Sequence, residues 1–414
     1  MLLNFDLHNW KTIRASKNFT MLAGKEKSHG QRLIKAGECS ILPVAAMFGG
    51  NASGKSSFVS ALAFAKNFVV EGVQPYDEVP VQPFLLDDES STKPTSMCIS
   101  FVAENDKAYE FRFKVTREKV VSESLSLVQS GTTQEIYSRN ERGIHIASDA
   151  PDKERLEMIA RCTRPEQLFL TAAVHLNATS LFAAYRWFKY TLTVVEPGSS
   201  VALAAYGDEA VLKTVNEVIG QLDLGVGRVL AEEIKRPSMG AVFGAEWGQP
   251  IMSEEKGVFT VTTSKGERKT MRLLTERTKA DGSPVRFDLK NEASGVQQAV
   301  GLLPVLLCPQ DKVYVVDDLD THLHPHLARE FLENFLSNCS PKSRSQILLT
   351  AHDTQLMDTD LLRREEIWFA ERNSDGSSEL FSLGDFKDIR KNEDIRKSYL
   401  QGRFGGVPRI LSGA

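Results

Sequence analysis

The sequence predicts an α/β fold in which two halves of one sheet-and-helix core are separated by an antiparallel β region and an inserted helical region. Three observations predict it. A Gly-rich turn at residues 49–56 sits between a buried apolar run and a helical pattern. A second continuous apolar run, Val313-Tyr314-Val315-Val316, ends in two adjacent aspartates, as buried parallel strands do when they deliver acids to a site. Between these two halves, residues 96–146 alternate apolar and polar side chains with the period of half-buried strands.

Composition leaves room for such a core. The chain has 414 residues, 42% hydrophobic and 25% charged, with a net charge of −4. These are the proportions of a globular protein, and the length admits two or three domains. The acidic balance gives no global footprint for nucleic acid. Five scattered cysteines without a C-x-x-C pair suit reduced thiols, and no apolar run approaches the ~18 residues of a membrane span. The N-terminus lacks the charged and apolar regions of a signal peptide, so a cytoplasmic location is expected.

In chain order, residues 2–10 alternate (Leu3, Phe5, Leu7) and predict an edge or half-buried strand, and 18–24 predict a second. Residues 25–40 are polar and read as a loop. The run Ile41–Phe48 predicts a buried strand, and Ser57–Val70 a helix with Phe58, Leu62, Ala65, Phe68 and Val69 at helical spacing. Pro75, Pro80, Pro83 and Pro94 predict an extended connection over 71–95. The alternation of Ser96–Ala103 and Tyr109–Val115 around Glu104-Asn105-Asp106 predicts a hairpin, continued to Ile146. Residues 151–236 read as helical. Their aromatic cluster (Phe182, Tyr185, Trp187, Phe188, Tyr190) reads as packing, because basic residues do not interleave it densely as in a base-stacking platform. Residues 241–289 return to strands, with turns at Gly244, Gly248, Gly257 and Gly266. The last third alternates helix and strand: a helix over 294–308, the strand ending at Val316, a helix from Pro325, a strand at Ile347–Thr350, and strands near Ile367–Ala370 and Leu380–Leu383. The domain division expected is 1–150, 151–236 and 237–414.

The residues that carry chemistry start with Gly49, Gly50, Asn51, Ala52, Ser53, Gly54, Lys55 and Ser56, a P-loop in its strand–loop–helix context. Its backbone N–H groups and the helix N-terminus suit a phosphate chain. Lys55 would reach the β- and γ-phosphates and Ser56 would hold Mg²⁺. Such a loop needs a carboxylate for the metal and a group to position the attacking water. Asp317 and Asp318, expected on a strand beside the P-loop strand, fit these parts. Most of the chain lies between Lys55 and Asp317, so two halves of one nucleotide-binding fold flank an insertion. That spacing disfavours a small-molecule kinase.

These motifs resemble the ABC-like AAA ATPases of prokaryotic defence and abortive-infection systems, with heads of the SMC and RecF type. Phe5–Lys11 is similar to the N-terminal strand of such heads, and Phe48–Ser57 to their P-loop. Asp317–Pro325 resembles the extended Walker B and D-loop, Thr350–Asp353 the switch-histidine segment, and Tyr399–Pro408 a tail these proteins often carry. The resemblance implies an ABC/RecF-like P-loop ATPase head, an ATP-binding and hydrolysing switch that uses Mg²⁺. It gives catalytic roles to Lys55, Asp318 and His352, and a subunit-bridging role to Asp320. Ser57 joins the nucleotide-binding loop, and Gln82 is a Q-loop candidate for the metal. Ser294 and Gly295, in Asn291–Gln298, are the signature-motif candidates that a second subunit would donate. His322, His324 and His326 fall in a segment that recurs in the family without metal.

Two residues depart from the family pattern. Asp318 stands where Glu is usual, retracting the carboxylate by ~1.5 Å, one carbon–carbon bond. Ala293 stands where Ser is usual. Nucleotide binding with slow hydrolysis is therefore expected. The resemblance implies a homodimer or higher homo-oligomer and a partner effector encoded nearby, a nuclease (of Toprim or HNH type) or toxin as in toxin–antitoxin pairs. No second catalytic centre is visible, and the 151–236 region is the expected partner contact. The tail reads as packing or a subunit contact. The alternative is a RecF/SMC-like DNA-binding repair ATPase, for which the basic runs Lys265–Lys269 and Arg363-Arg364 speak, although such runs usually form solvated faces.

Overall fold

A computed structural model describes residues 1–15, 18–37, 39–129, 131–195, 202–234, 257–262, 268–307, 311–387, 389 and 393–407. The turns at Gly244, Gly248 and Gly266, Lys265–Glu267 of one basic run, and Pro408 of the tail lie outside them. The chain begins with β1 (Leu2–Trp10), β2 (Ile13–Ala15) and β3 (Phe19–Thr20), then a hairpin of β4 (Ile34–Ala36) and β5 (Cys39–Ile41). β6 (Val44–Phe48) leads into α1 (Lys55–Val70). Five strands follow: β7 (Thr95–Val102), β8 (Ala108–Val115), β9 (Val120–Gln129), β10 (Thr132–Asn140) and β11 (Gly143–Ile146). Then come α2 (Lys153–Cys162), α3 (Phe169–His175), α4 (Phe182–Arg186) and β12 (Leu192–Val195). Next are α5 (Glu209–Ile219), β13 (Arg228–Glu233), β14 (Val258–Thr262), β15 (Arg268–Thr278), β16 (Pro284–Asp288) and α6 (Ser294–Leu307). The chain closes with β17 (Val313–Val316), α7 (Pro325–Ser337), β18 (Gln346–Ala351), β19 (Ile367–Arg372), β20 (Ser378–Ser382) and α8 (Ile395–Leu400).

These elements form two compact units. One comprises Met1–Val194, Asp311–Asp318 and Leu336–Ala414, and the other Val195–Gln310 and Leu319–Phe335. The predicted helical region is thus divided at Val194/Val195. The first unit holds a six-stranded sheet of order β12-β17-β18-β6-β19-β20. Within it β17, β18, β6 and β19 run parallel, and β20 pairs antiparallel at one end. The parallel strands β6, β17 and β18 are buried along their whole length, which is why their sequences are unbroken apolar runs. The same unit holds an antiparallel eight-stranded sheet, β11-β10-β9-β8-β7-β1-β2, with β3 also on β1. Helix α1 packs on it, with Phe58 against Phe5 and Phe19 (ring centroids 5.2 and 5.0 Å), Phe64 against Trp10 (4.8 Å) and Phe68 against Phe113 (5.9 Å). The second unit contains a four-stranded antiparallel sheet of β13, β14, β15 and β16. Among the described residues no helix is long and apolar enough to cross a membrane.

Several elements differ from the sequence expectation. β1 is an interior strand, flanked by β7 on one side and by β2 and β3 on the other. The supposed loop at 25–40 contains the β4/β5 hairpin, and the run Ile41–Phe48 is broken at Leu42-Pro43. In the region read as helical, Arg228–Glu233 is a strand paired with β15. Only Val229 in it is buried, so its own pattern carries little signal and the neighbouring strand imposes the extended form. Trp187 and Phe188 of the aromatic cluster are packing as expected, Trp187 stacked on Phe101 at 4.3 Å and Phe188 edge-on to Phe101 and Phe111, whereas Tyr190 is exposed beside Arg186 and Lys189.

Candidate nucleotide site

The P-loop leaves β6 at Phe48 and turns into α1 through Ala52 (φ 58°) and Gly54 (φ 108°). Glycine is demanded at both ends by packing. A Cβ on Gly49 would lie 2.4 Å from the Ala370 carbonyl oxygen, and one on Gly54 would lie 2.5 Å from Cβ and Oγ of Ser378. No side chain caps the start of this 16-residue helix at Gly54, so the first-turn N–H groups and the helix dipole face the loop. Lys55 is 4% exposed, and its Nζ donates to the loop's own carbonyls, Gly49 at 2.9 Å and Gly50 at 3.2 Å. Ser53 Oγ is buried without a hydrogen-bond partner. A buried hydroxyl left unmatched is costly and signals a missing acceptor. The uncapped helix start and the unmatched hydroxyl both fit a phosphate chain held by this loop. Ser56 is exposed, and Ser57 Oγ accepts from Thr12 Oγ1 at 3.0 Å.

The strand register brings the other parts to the same edge. Phe48 lies beside Ala351, and Leu349 beside Val316. The P-loop, His352 and Asp317 therefore leave three neighbouring parallel strands at their C-terminal ends, where open α/β sheets bind ligands. Contrary to the expectation from sequence, the strand that ends at Asp317 does not adjoin the P-loop strand. β18 lies between them, and it brings Thr350. This threonine is fully buried; its Oγ1 donates to Asp317 Oδ1 at 2.6 Å and accepts from the Asp318 N–H at 2.8 Å. One hydroxyl thus fixes both aspartates. Asp318 adopts a left-handed backbone (φ 49°), and its Oδ1 lies 3.6 Å from His352 Nε2, an ion pair when the imidazole is protonated.

Gln82 is exposed, and its carbonyl accepts from the Lys11 N–H at 2.6 Å. The segment after it is pinned by Asn9, which is buried at φ 58°. Asn9 Nδ2 donates to the Ser90 and Lys93 carbonyls (2.8 and 2.7 Å), and its Oδ1 accepts from Phe84 N–H at 2.9 Å. Sequence reasoning missed both Thr350 and Asn9 as positioning groups; an Asn within an alternating strand is the only local signal. Ser294, Gly295 and Asp320 belong to the second unit. Ser294 is exposed at the first position of α6, and a Cβ on Gly295 would lie 2.7 Å from the His322 carbonyl oxygen. The signature candidate and the D-loop candidate are therefore in tight contact. The basic pair Arg363-Arg364 is not a solvated face. The Arg363 side chain has no exposure, pairs with Glu365, and donates to the Glu26 carbonyl at 2.7 Å.

Residues 44–171 and 270–358, more than half of the chain, match the family described as "AAA domain, putative AbiEii toxin, Type IV TA system". The chain belongs to this family. The matched spans contain the P-loop, Asp317, Asp318, Asp320, His352, Ser294 and Gly295. The matched AAA domain takes in the P-loop strand and the strands that lead to Asp317 and His352, within a mixed α/β fold that also carries an antiparallel sheet. No curated protein matches it. Similar solved structures include the SMC head domain from Thermotoga maritima, at 12% identity and TM-score 0.38, covering 92% of this chain and 98% of that one. An SMC head bound to the C-winged helix domain of ScpA has 12% identity and TM-score 0.44, with 92% and 97% covered. The recombination mediator RecF with ATP has 9% identity and TM-score 0.39, with 92% and 99% covered.

Proposed function

We propose that this AAA-domain chain binds ATP with Mg²⁺ and hydrolyses it slowly, as a switch that controls a partner effector in a prokaryotic anti-phage system. The observation that carries the nucleotide site is Thr350. From β18, the strand adjoining the P-loop strand, its hydroxyl ties together the two aspartates that follow β17, which holds a candidate metal-binding and a candidate water-orienting carboxylate in fixed positions.

Ser56 and Asp317 would hold the metal, with Gln82 as a further ligand, and the bound ion supplies charge neutralisation on the phosphate oxygens. Backbone N–H groups of Asn51–Ser57 would wrap the phosphates, and Lys55 would turn from the loop carbonyls to the β- and γ-phosphates. Asp318 would orient the attacking water and accept its proton, with His352 beside it to contact the γ-phosphate. The missing methylene at Asp318 displaces that base, and a misplacement of about 1 Å can cost about a hundredfold in rate. Ser294, Gly295 and Asp320 would complete the site of a second copy, so ATP would join two heads. The effector would be a nuclease or toxin encoded nearby.

A calorimetric titration tests the reading. Wild-type chain binds ATP in the presence of Mg²⁺, and Lys55→Ala loses that binding.

A further inference from the structure

The segment after α8 folds back onto the P-loop. Tyr399 and Phe404 are 5% and 3% exposed, and their rings stack on Phe369 of β19 at 5.3 and 5.9 Å. The turn between them is closed by Gly402 N–H to the Tyr399 carbonyl (2.7 Å) and Gly405 N–H to the Gly402 carbonyl (3.2 Å). Gly402, Gly405 and Gly406 all have left-handed backbones, with φ of 78°, 73° and 71°. Other residues adopt such a run only with strain, so the sequence Gly402-Arg403-Phe404-Gly405-Gly406 is built for this path.

The path ends on one carbonyl. The buried Gly406 oxygen accepts two hydrogen bonds, from Tyr399 Oη at 3.0 Å and from the backbone N–H of Gly50 at 3.0 Å. Gly50 is the second residue of the P-loop. The residue before it, Gly49, is pressed against the Ala370 carbonyl, and a Cβ on Gly406 would lie 3.4 Å from that same oxygen. β19, the P-loop and the C-terminal segment therefore meet within a few ångströms. A Gly50 N–H spent on Gly406 is not a phosphate donor. It fixes the entry of the loop, from which the phosphate-facing N–H groups follow.

We propose that Tyr399–Gly406 is an intramolecular strap that positions the P-loop, with the Gly406 carbonyl as its contact and Tyr399 as the group that holds that carbonyl. The strap makes nucleotide affinity depend on the C-terminal segment, so displacing the segment loosens the loop. Gly406 and Tyr399 are positioning residues. The consequence for affinity rests on the ATP reading above; the strap itself does not.

Two variants test it. Tyr399→Phe keeps the ring on Phe369 and removes the hydroxyl. Gly406→Ala has ordinary space around its Cβ but forces a left-handed alanine, which shifts the carbonyl. Leu400→Ala, at a 56% exposed position of the same segment, is the control. Amide hydrogen exchange over residues 48–57 and the affinity for a fluorescent ATP analogue are measured on folded full-length chains. Both strap variants exchange faster across the P-loop and bind the analogue about fivefold more weakly, the effect of one net hydrogen bond, while the control matches wild type. Wild-type exchange in both strap variants overturns the strap. A wild-type chain that binds no analogue overturns the nucleotide site instead, and the exchange difference still decides the strap.

Discussion

Replacing Thr350 by valine removes one hydroxyl and keeps the shape of a fully buried side chain. Two groups lose their partner: the Asp318 N–H, 2.8 Å from that oxygen, and Asp317 Oδ1 at 2.6 Å. A buried N–H left unsatisfied costs about 1–3 kcal/mol, and a hydrogen bond to a charged group contributes about 1.5–3 kcal/mol. Asp317 is half-buried and recovers part of its loss from water, so the expected destabilisation is about 2–4 kcal/mol. The functional effect is larger than the structural one. A partner that orients a metal-binding carboxylate is typically worth about 10–100-fold in metal affinity or activity. Urea denaturation measures the first quantity, and ATP turnover titrated with Mg²⁺ the second. Thr350→Ser keeps the hydroxyl and the wild-type Mg²⁺ dependence, and loses only about 1 kcal/mol of stability for the buried methyl. A folded Thr350→Val chain with wild-type Mg²⁺ dependence would falsify the assignment of Thr350 as the tie between the two aspartates.

Two further outcomes follow from the same geometry. Asp318→Glu restores the longer carboxylate and raises turnover by about ten- to a hundredfold, whereas Asp318→Asn abolishes it while ATP is still bound; brisk hydrolysis by the wild-type chain contradicts the slow-switch reading. Burial pushes Glu366 up to about 8, so its acid is neutral in the fold and ionises at ordinary pH in the unfolded chain. Its contribution to stability is therefore complete below the unfolded value and is lost as pH rises towards 8, by up to about 1.4 kcal/mol per pH unit. Glu366→Gln removes that fall, so urea midpoints of variant and wild type diverge from pH 5 to pH 8; a constant difference across that range rules the explanation out.

The parts of the fold legible in the sequence are those decided locally. The P-loop announces itself through Gly49, Gly54 and Lys55 between an apolar run and a helical one, and β17 and β18 through unbroken apolar residues. The hairpins of the antiparallel sheet are written in the strict alternation of Tyr109–Val115. What the sequence hides depends on distant partners. Gln346 is fully buried because its amide bonds to the Leu2 and Leu42 carbonyls and accepts from the Leu2 N–H, at positions more than 300 residues away. β13 is a strand because β15 pairs with it. Thr350 reads as an ordinary strand end until the register sets it beside Asp317. The tail shows its glycines plainly, but only the folded chain brings the Gly406 carbonyl to Gly50.

The central claim is that residues 49–57, with Asp317 and Asp318, form an ATP site. Calorimetric titration of ATP into the full-length chain with Mg²⁺ tests it most directly. The account predicts saturable binding at one site per chain that is weakened at least tenfold by Lys55→Ala, since a charged, hydrogen-bonding group is then missing from the phosphates. Absence of binding to the folded wild-type chain, or equal binding by Lys55→Ala, contradicts it.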